Sequence, residues 1–352
     1  MAGPGPIGVG LVGYGLAGRS FHAPFIAHVE GLRLCAVATT DHDRRAQAIA
    51  EHPGVDVVDG IDEMLARADI DVVVVATPNR LHVPLATKAL ASGRHVVVDK
   101  PMAMDVAEGQ RLIEDAARAD RLLTVYHNRR WDGDFLTVRG LVAQGTLGPL
   151  DSLESRFERV AAVDTSWRES AAEVGGPLRD LGPHLIDQAL LLFGPARRVW
   201  AQLARRRPAT AVDDSVFVAI DHAAGGQSRL SMSLIASRVG PRIRLRGMAA
   251  EYVKEDLDAQ EAQLLAGMRP GDPSFGDEPE ARWGRLYRPD GSVDQVPTEQ
   301  GRYLTFYELL RDAVRGQGRV PVEPVDSLQT LRVIEAAERA AATGTVEAMS
   351  EG

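Results

Sequence analysis

The feature that most constrains this chain is a short apolar run that ends in a patterned glycine turn. Residues 7–12 read Ile-Gly-Val-Gly-Leu-Val, and Gly13, Tyr14, Gly15, Leu16, Ala17 and Gly18 follow at once. A strand that runs into G-x-G-x-x-G and opens a helix has a specific physical use. Gly13 allows the tight turn, Gly15 lets the backbone approach a pyrophosphate, and Gly18 permits close packing of helix on sheet. The helix N-terminus then offers free N–H donors to phosphates. A purely structural glycine turn uses the same residues, but the flanking strand and helix favour dinucleotide binding.

Further apolar runs recur at residues 32–39, 72–76, 95–99 and 122–126, with amphipathic stretches near 19–28, 44–51, 82–92 and 107–119. Val-rich runs without alternation suit strands covered on both faces. Strand and helix in succession predict a doubly wound parallel sheet with right-handed crossovers. The fold class expected is therefore α/β, with residues 1–125 as a Rossmann domain. After residue 150 apolar and polar residues alternate, at 153–159, 216–220, 229–235 and 242–246, with Ala223-Ala-Gly-Gly226 as a hairpin turn. This predicts residues 126–352 as an α+β domain for substrate binding and oligomerisation, with a large, mostly antiparallel sheet. Helices are expected near 183–192, 303–315 and 327–342, and the Gly-, Pro- and Asp-rich stretch 267–289 reads as a long loop.

Composition narrows the function classes. With 352 residues, two domains and a full core are expected. A chain 45% hydrophobic and 25% charged is neither disordered nor collagen-like. The net charge of -9 argues against a nucleic-acid partner. The single cysteine, Cys35, excludes an intramolecular disulfide framework and a cysteine zinc cluster. The apolar runs fall far short of the ~20 residues that span a bilayer, so no membrane partner is expected. The N-terminus has no basic region and no cleavage site, and a cytoplasmic location is expected.

Three more segments carry candidate chemistry. Ala76-Thr77-Pro78-Asn79, followed by His82, sits at a strand's carboxyl end, where open α/β sheets bind ligands. Taken alone, Asn79 and His82 read as a helix cap. Asp99-Lys100-Pro101 ends the next strand and aims an ammonium at the same crevice. In Gly175–Asp187, Asp180 and His184 are four apart across a helix start, a spacing at which side chains meet. A carboxylate beside an imidazole fixes its tautomer and raises its pKa, which suits a general acid/base. A metal site from Asp180, His184 and Asp187 is the alternative there, without an evident further ligand.

These segments, with Phe21-His-Ala-Pro24, Asn128-Arg-Arg-Trp-Asp132, Leu257-Asp-Ala-Gln-Glu261 and Gly301-Arg-Tyr303, resemble the glucose–fructose oxidoreductase, inositol dehydrogenase and rhizopine-catabolism family (Gfo/Idh/MocA). The resemblance covers nearly the whole chain, and the local matches are similar to the scyllo-inositol dehydrogenase branch. It implies that Lys100 hydrogen-bonds the reacting oxygen and that Asp180 and His184 complete the catalytic set. It also implies that the glycine turn, Thr77, Pro78, Asn79, His82, Asp99 and Lys100 contact a nicotinamide cofactor, with Trp167 and Arg168 beside it. No metal is implied. His127, Arg129, Arg156 and Tyr303 are candidate substrate contacts. Two departures stand out: Asp99 replaces the usual Glu, and Phe275-Gly276 stands where relatives often have Trp-Gly.

The expectation is an NAD(P)-dependent oxidoreductase that interconverts a secondary alcohol and a ketone on a cyclitol, sugar or related polyol. The rivals are redox-assisted elimination or glycoside cleavage with retained cofactor, and a non-catalytic cofactor or sugar sensor. NADP is favoured over NAD, because Thr39 or Thr40 stands where an NAD site places an acid, and Arg44 or Arg45 could neutralise a 2′-phosphate. Asp41 is placed one or two residues too late to be that acid; bent inward by the turn, it would accept the 2′-hydroxyl bond and repel a phosphate. Apolar residues on the alternating strands, such as Met232 and Leu234, together with the resemblance, predict a homodimer or homotetramer packed sheet to sheet.

Overall fold

The computed structural model describes residues 5–163, 169–170 and 175–349. Its backbone contacts divide the chain into two units: Met1–Asn128 with Glu261–Phe275 and Tyr303–Leu328, and Arg129–Gln260 with Gly276–Arg302 and Gln329–Gly352. The sequence reading placed everything after residue 125 in the second domain. Two later segments instead return to the first unit, and aromatic packing is the reason. The Tyr303 ring lies 6.2 Å from Phe25, Phe275 lies 6.0 Å from Phe25, and Phe306 meets Tyr126 edge-on at 4.7 Å. Contacts of this kind join residues far apart in sequence and leave no local pattern.

The first unit is built on β1 (Ile7–Val12), β2 (Leu32–Ala38), β3 (Asp56–Val58), β4 (Val72–Val75), β5 (His95–Asp99) and β6 (Leu123–Tyr126). They form a parallel sheet in the order β3-β2-β1-β4-β5-β6, the doubly wound arrangement. Val72–Val75 are wholly buried, as expected of a central strand with helices on both faces. The three-residue β3 is too short to show periodicity and was not anticipated. Helix Val106–Ala119 shows how locally these elements are specified. Asp105 caps it by accepting the Glu108 N–H at 2.7 Å, and Asp120 ends it in the left-handed region at φ 52°.

The second unit carries β7 (Leu150–Glu158), β8 (Ala196–Ala204), β9 (Ser215–His222), β10 (Gln227–Ser233), β11 (Ile243–Gly247), β12 (Glu251–Lys254), β13 (Gly284–Tyr287), β14 (Val293–Val296) and β15 (Glu347–Ala348). Their order is β14-β13-β12-β11-β7-β10-β9-β8-β15, antiparallel except for the parallel pair β7–β10. β13 and β14 correct the expected loop at 267–289, since β13 lies inside it. Burial alternates residue by residue along β9 and β10. One face joins a core with Leu153, Val218, Leu230 and Met232, onto which helix Gly182–Phe193 lays Leu185, Ile186 and Ala189. The other face shows Trp200, Phe217, Arg229 and Arg244, half-exposed or exposed. Met232 is therefore core, and the open face carries Trp200 and Phe217, whose rings are 5.9 Å apart, and Tyr287.

Candidate active site

The glycine turn has the geometry that its residues demand. Gly13 sits at φ +98°, and a Cβ there would lie 2.3 Å from the Ala76 carbonyl oxygen. A Cβ on Gly18 would lie 2.0 Å from the Gly13 carbonyl oxygen, so both positions exclude any side chain. Above Gly15 there is open space, with the Arg44 guanidinium the nearest group at 3.9 Å. Tyr14 is buried and donates its hydroxyl to Glu51 at 2.8 Å, and Leu16 stays exposed. Ala17 opens a π-helical turn, Ala17–His22, which precedes helix Ala23–His28.

At the end of β2 the candidate acid, Asp41, serves as a helix cap. β2 stops at Ala38, and Asp41 is the N-cap of helix His42–Glu51, accepting the Arg44 N–H at 3.0 Å. Thr39 Oγ1 accepts the Asp41 N–H at 3.3 Å, and Thr40 is exposed. Arg45 is used structurally, donating to the Thr39 and Val57 carbonyls and pairing with Asp59. Arg44 lies against the glycine turn with its side chain half in solvent.

After β4, the cap reading of Asn79 and His82 fails. Neither side chain caps the 3₁₀ turn Asn79–Leu81 or helix His82–Ala91. His82 is buried and bridges two turns instead, with Nδ1 2.8 Å from the Pro101 carbonyl and Nε2 2.9 Å from the Thr77 carbonyl. Burial pushes its pKa below the ordinary value, against the pull of Asp99 and both carbonyls. Thr77 Oγ1 and Asn79 Oδ1 are buried with no hydrogen-bond partner among the described residues. Buried polar atoms are normally satisfied, so these two, with Pro78 between them, mark a place for a ligand. Together with the space above Gly15, they fit a bound dinucleotide.

After β5, Asp99 Oδ1 accepts the Lys100 N–H at 2.8 Å, and Lys100 joins Pro101 through a cis peptide bond. Burial alone would raise the Asp99 pKa, but His22, Lys100 and His82 outweigh it and hold the carboxyl below its ordinary value. The adjacent buried phenols, Tyr126 and Tyr307, are pushed the other way by burial.

The second unit presents its candidate groups on one helix. Gly176 is left-handed at φ +93°, and the Leu178 N–H donates to Asp213 at 3.3 Å. Burial pushes the Asp213 carboxyl up to about 6. The short helix Pro177–Asp180 ends where helix Gly182–Phe193 begins, so Asp180 and His184 lie on successive helices joined at Leu181. Both are buried. His184, Asp187 and Gln188 form a polar face opposite the apolar one. Asp187 takes a bidentate bond from Arg130 at 2.8 and 2.6 Å, which commits it to an ion pair rather than to a metal. Gln188 donates to the Arg129 carbonyl at 2.8 Å and accepts from Arg242 at 2.9 Å. Among the described residues, no group of three His, Cys, Asp or Glu is placed to hold a metal ion.

The proposed substrate contacts scatter. His127 is buried, and Arg129 lies over the Phe157 ring at 4.8 Å with Asp132 3.3 Å away. Arg156 is on the open sheet face, paired with Glu154 at 2.9 Å. Tyr303 is fully buried. Trp167 and Arg168 lie outside the described residues. What sequence reasoning passed over is the charge around Arg129. Asp132, Asp134, Asp258, Arg242, Lys254 and Glu278 are all buried. Asp258 accepts the Gly133 N–H at 2.7 Å, and burial and Asp134 push its carboxyl up to about 6. The signal was present in Asn128-Arg-Arg-Trp-Asp132 and Leu257-Asp-Ala-Gln-Glu261: Gln260 reaches the Trp131 carbonyl at 3.1 Å and joins the two segments.

Comparison with known proteins agrees with this geometry. Residues 7–127 match the family model described as "Oxidoreductase family, NAD-binding Rossmann fold". Residues 139–349 match the model for the same family's C-terminal alpha/beta domain. The uncharacterized oxidoreductase YdgJ of Escherichia coli (strain K12) is 37% identical, covering 94% of each chain. The scyllo-inositol 2-dehydrogenase (NADP(+)) IolW of Bacillus subtilis (strain 168) is 33% identical over 94% of this chain and 92% of its own. A solved structure from Klebsiella pneumoniae is 38% identical and superposes with a TM-score of 0.90, covering 99% of this chain and 96% of that one.

Proposed function

The chain belongs to the Gfo/Idh/MocA oxidoreductase family, with that family's NAD(P)-binding fold, and from that premise we propose that it interconverts a secondary alcohol and a ketone on a cyclitol, sugar or related polyol. The observation that carries this reading is the buried polar helix face bearing His184, pinned by Arg130 and Arg242. A held, buried imidazole beside a carboxylate is what an acid/base step on a hydroxyl needs. A relative that acts on scyllo-inositol supports the substrate class, as does the D-glucoside 3-dehydrogenase of Escherichia coli (strain K12), 30% identical over 63% of this chain and 68% of its own.

The roles follow from the residues. The glycine turn, Thr77, Asn79 and Asp99 would hold the cofactor, which supplies hydride chemistry when bound. Lys100 donates to the reacting oxygen and stabilises developing alkoxide charge. His184 moves the hydroxyl proton, and Asp180 orients it. NADP is the favoured cofactor. Asp41 is used as a helix cap, Arg45 is locked, and Arg44, 3.7 Å from Asp41, lies beside the glycine turn where it would meet a 2′-phosphate. The open face of the second sheet, with Trp200 and Phe217, is proposed as a homo-oligomer interface, and light scattering at micromolar concentration should show a dimer or tetramer rather than a monomer.

The test is a panel of polyols and keto-sugars read by nicotinamide absorbance with NAD(H) and NADP(H). Turnover on one substrate with net cofactor conversion is expected, at least tenfold better with NADP(H). Lys100→Met and His184→Ala should each lower turnover by ~10²–10⁴-fold with cofactor affinity nearly intact. Product formation without net cofactor conversion would favour elimination instead. Near-normal turnover in either variant would remove that residue from its role.

A further inference from the structure

Phe21-His22-Ala23-Pro24 is used by none of the roles above, yet it delivers a fully buried histidine behind the Asp99-Lys100 turn. The delivery has a backbone cause. Pro24 has no N–H, and its ring clashes with the carbonyl four residues back in a regular helix. The chain widens there instead: Ala17–His22 is π-helical, and the Ala23 N–H bonds the Gly18 carbonyl, five residues back. Such an expanded turn re-aims a side chain and is frequent at functional sites. Here His22 turns inward, its ring 4.2 Å from that of Tyr126.

The partners of His22 fix its tautomer. Nδ1 lies 2.6 Å from the Tyr307 hydroxyl. Tyr307 is completely buried, burial pushes its pKa well above the ordinary value, and among the described residues its hydroxyl has no other acceptor. The phenol therefore stays protonated and donates to Nδ1, which leaves the ring proton on Nε2. That nitrogen has no hydrogen-bond partner and stands 3.8 Å from Asp99 Oδ2. The other oxygen of the same carboxylate holds the Lys100 N–H. We propose that His22 is a positioning residue: Tyr307 sets its tautomer, its Nε2–H steers the Asp99 carboxylate, and Asp99 sets the Lys100 turn.

Because the relay acts through a carboxylate, every charged or titratable group facing it matters. These are Asp99 and Lys100 at the end of β5, His82 on its helix, Tyr126 on β6, and Tyr307 on helix Leu304–Val314. The relay rests on the proposed oxidoreductase reading only for its effect on turnover. Its chemistry is readable in the protein without substrate.

The experiment is nuclear magnetic resonance of full-length protein with ¹⁵N-labelled histidine rings and ¹³C-labelled aspartate carboxyls. The expected His22 signal is that of the neutral ring protonated at Nε2. Tyr307→Phe should release the tautomer preference. His22→Leu should raise the Asp99 titration point, and His22→Gln, which keeps an N–H near the Nε2 position, should restore much of it. On the substrate found by the panel, His22→Leu should lower kcat by ~10–100-fold with KM little changed, the size of loss typical when a group that orients another is removed. A His22 ring protonated at Nδ1, or an Asp99 titration unmoved in both Tyr307→Phe and His22→Leu, would overturn the relay. If His22→Leu does not fold, Tyr307→Phe and the wild-type tautomer still decide. A failed substrate panel leaves both spectroscopic outcomes standing.

Discussion

The two units bury carboxylates in opposite ways. In the first, Asp99 lies among His22, His82 and Lys100, and its pKa falls below the ordinary value despite burial. In the second, Asp132 and Asp258 lie near Asp134, and burial plus like charge push both upward, Asp258 to about 6. Asp99 is half-buried while Asp132 and Asp258 are buried, and the neighbours differ in sign as well. A carboxylate among cations and ring N–H groups stays ionised and ready to orient a backbone turn. A carboxylate among other acids is costly to ionise and must be offset by cations such as Arg242 and Lys254, 3.4 Å from Asp134 and 3.1 Å from Glu278. The first arrangement suits holding a ligand at strand ends. The second suits a rigid support under a helix.

The largest effect expected is on the second unit's charges. Arg242 donates to Ser155 at 2.6 Å and to Gln188 at 2.9 Å, and stands beside Asp134. Arg242→Met should cost ~3–5 kcal/mol in urea unfolding, because it leaves a buried charge without compensation. Adding Asp134→Leu should recover part of that loss. If the double variant were as unstable as the single one, the pairing would not be the source of the cost.

A smaller loss is expected from His82→Leu, which removes the ring from between the Thr77 and Pro101 carbonyls, to one of which a neutral imidazole donates. Each buried group left unmade costs about 1–3 kcal/mol. Amide exchange should quicken around residues 77–82 and 99–103 and stay unchanged along helix Gly182–Phe193. The converse pattern is expected for Arg242→Met. Exchange that spread equally through both units in either variant would erase the distinction between them.

The pH response separates the units most finely. Asp258 has a folded pKa raised above its unfolded one, so its stabilising contribution is full below the unfolded value and is lost as pH rises towards 6. Asp99 is lowered, so its contribution is present above the unfolded value and is lost as pH falls through the folded one. Asp258→Asn should flatten the fall in stability between pH 4 and 6 by about 1 kcal/mol per pH unit. An unchanged slope would show that Asp258 is ionised there in the folded protein.

The candidate site was unevenly legible. Gly13, Gly18 and the turns after β4 and β5 could be read because backbone geometry is encoded within a few residues. Asp41 was half legible: its place past the end of β2 could be read, but its capping role needed the helix start to be known. Arg130, Gln188 and Arg242 were not singled out, since a buried ion pair is a relation between segments and neither member signals it alone. The Arg156–Glu154 pair is different, because residues two apart on a strand share a face and the pairing is local.

By itself the sequence determined the parallel sheet, its glycine turn and the alternation of the second sheet, since apolar period and glycine placement act over one turn or one strand. Only the tertiary structure decided that Tyr303–Leu328 returns to the first unit. It alone decided that Met232 faces the core while Trp200 faces out, and that His22 turns inward to Tyr307 and Asp99. These choices depend on which distant side chains share a volume. Close packing and the cost of an unpaired buried charge are settled in three dimensions, after the local elements have formed.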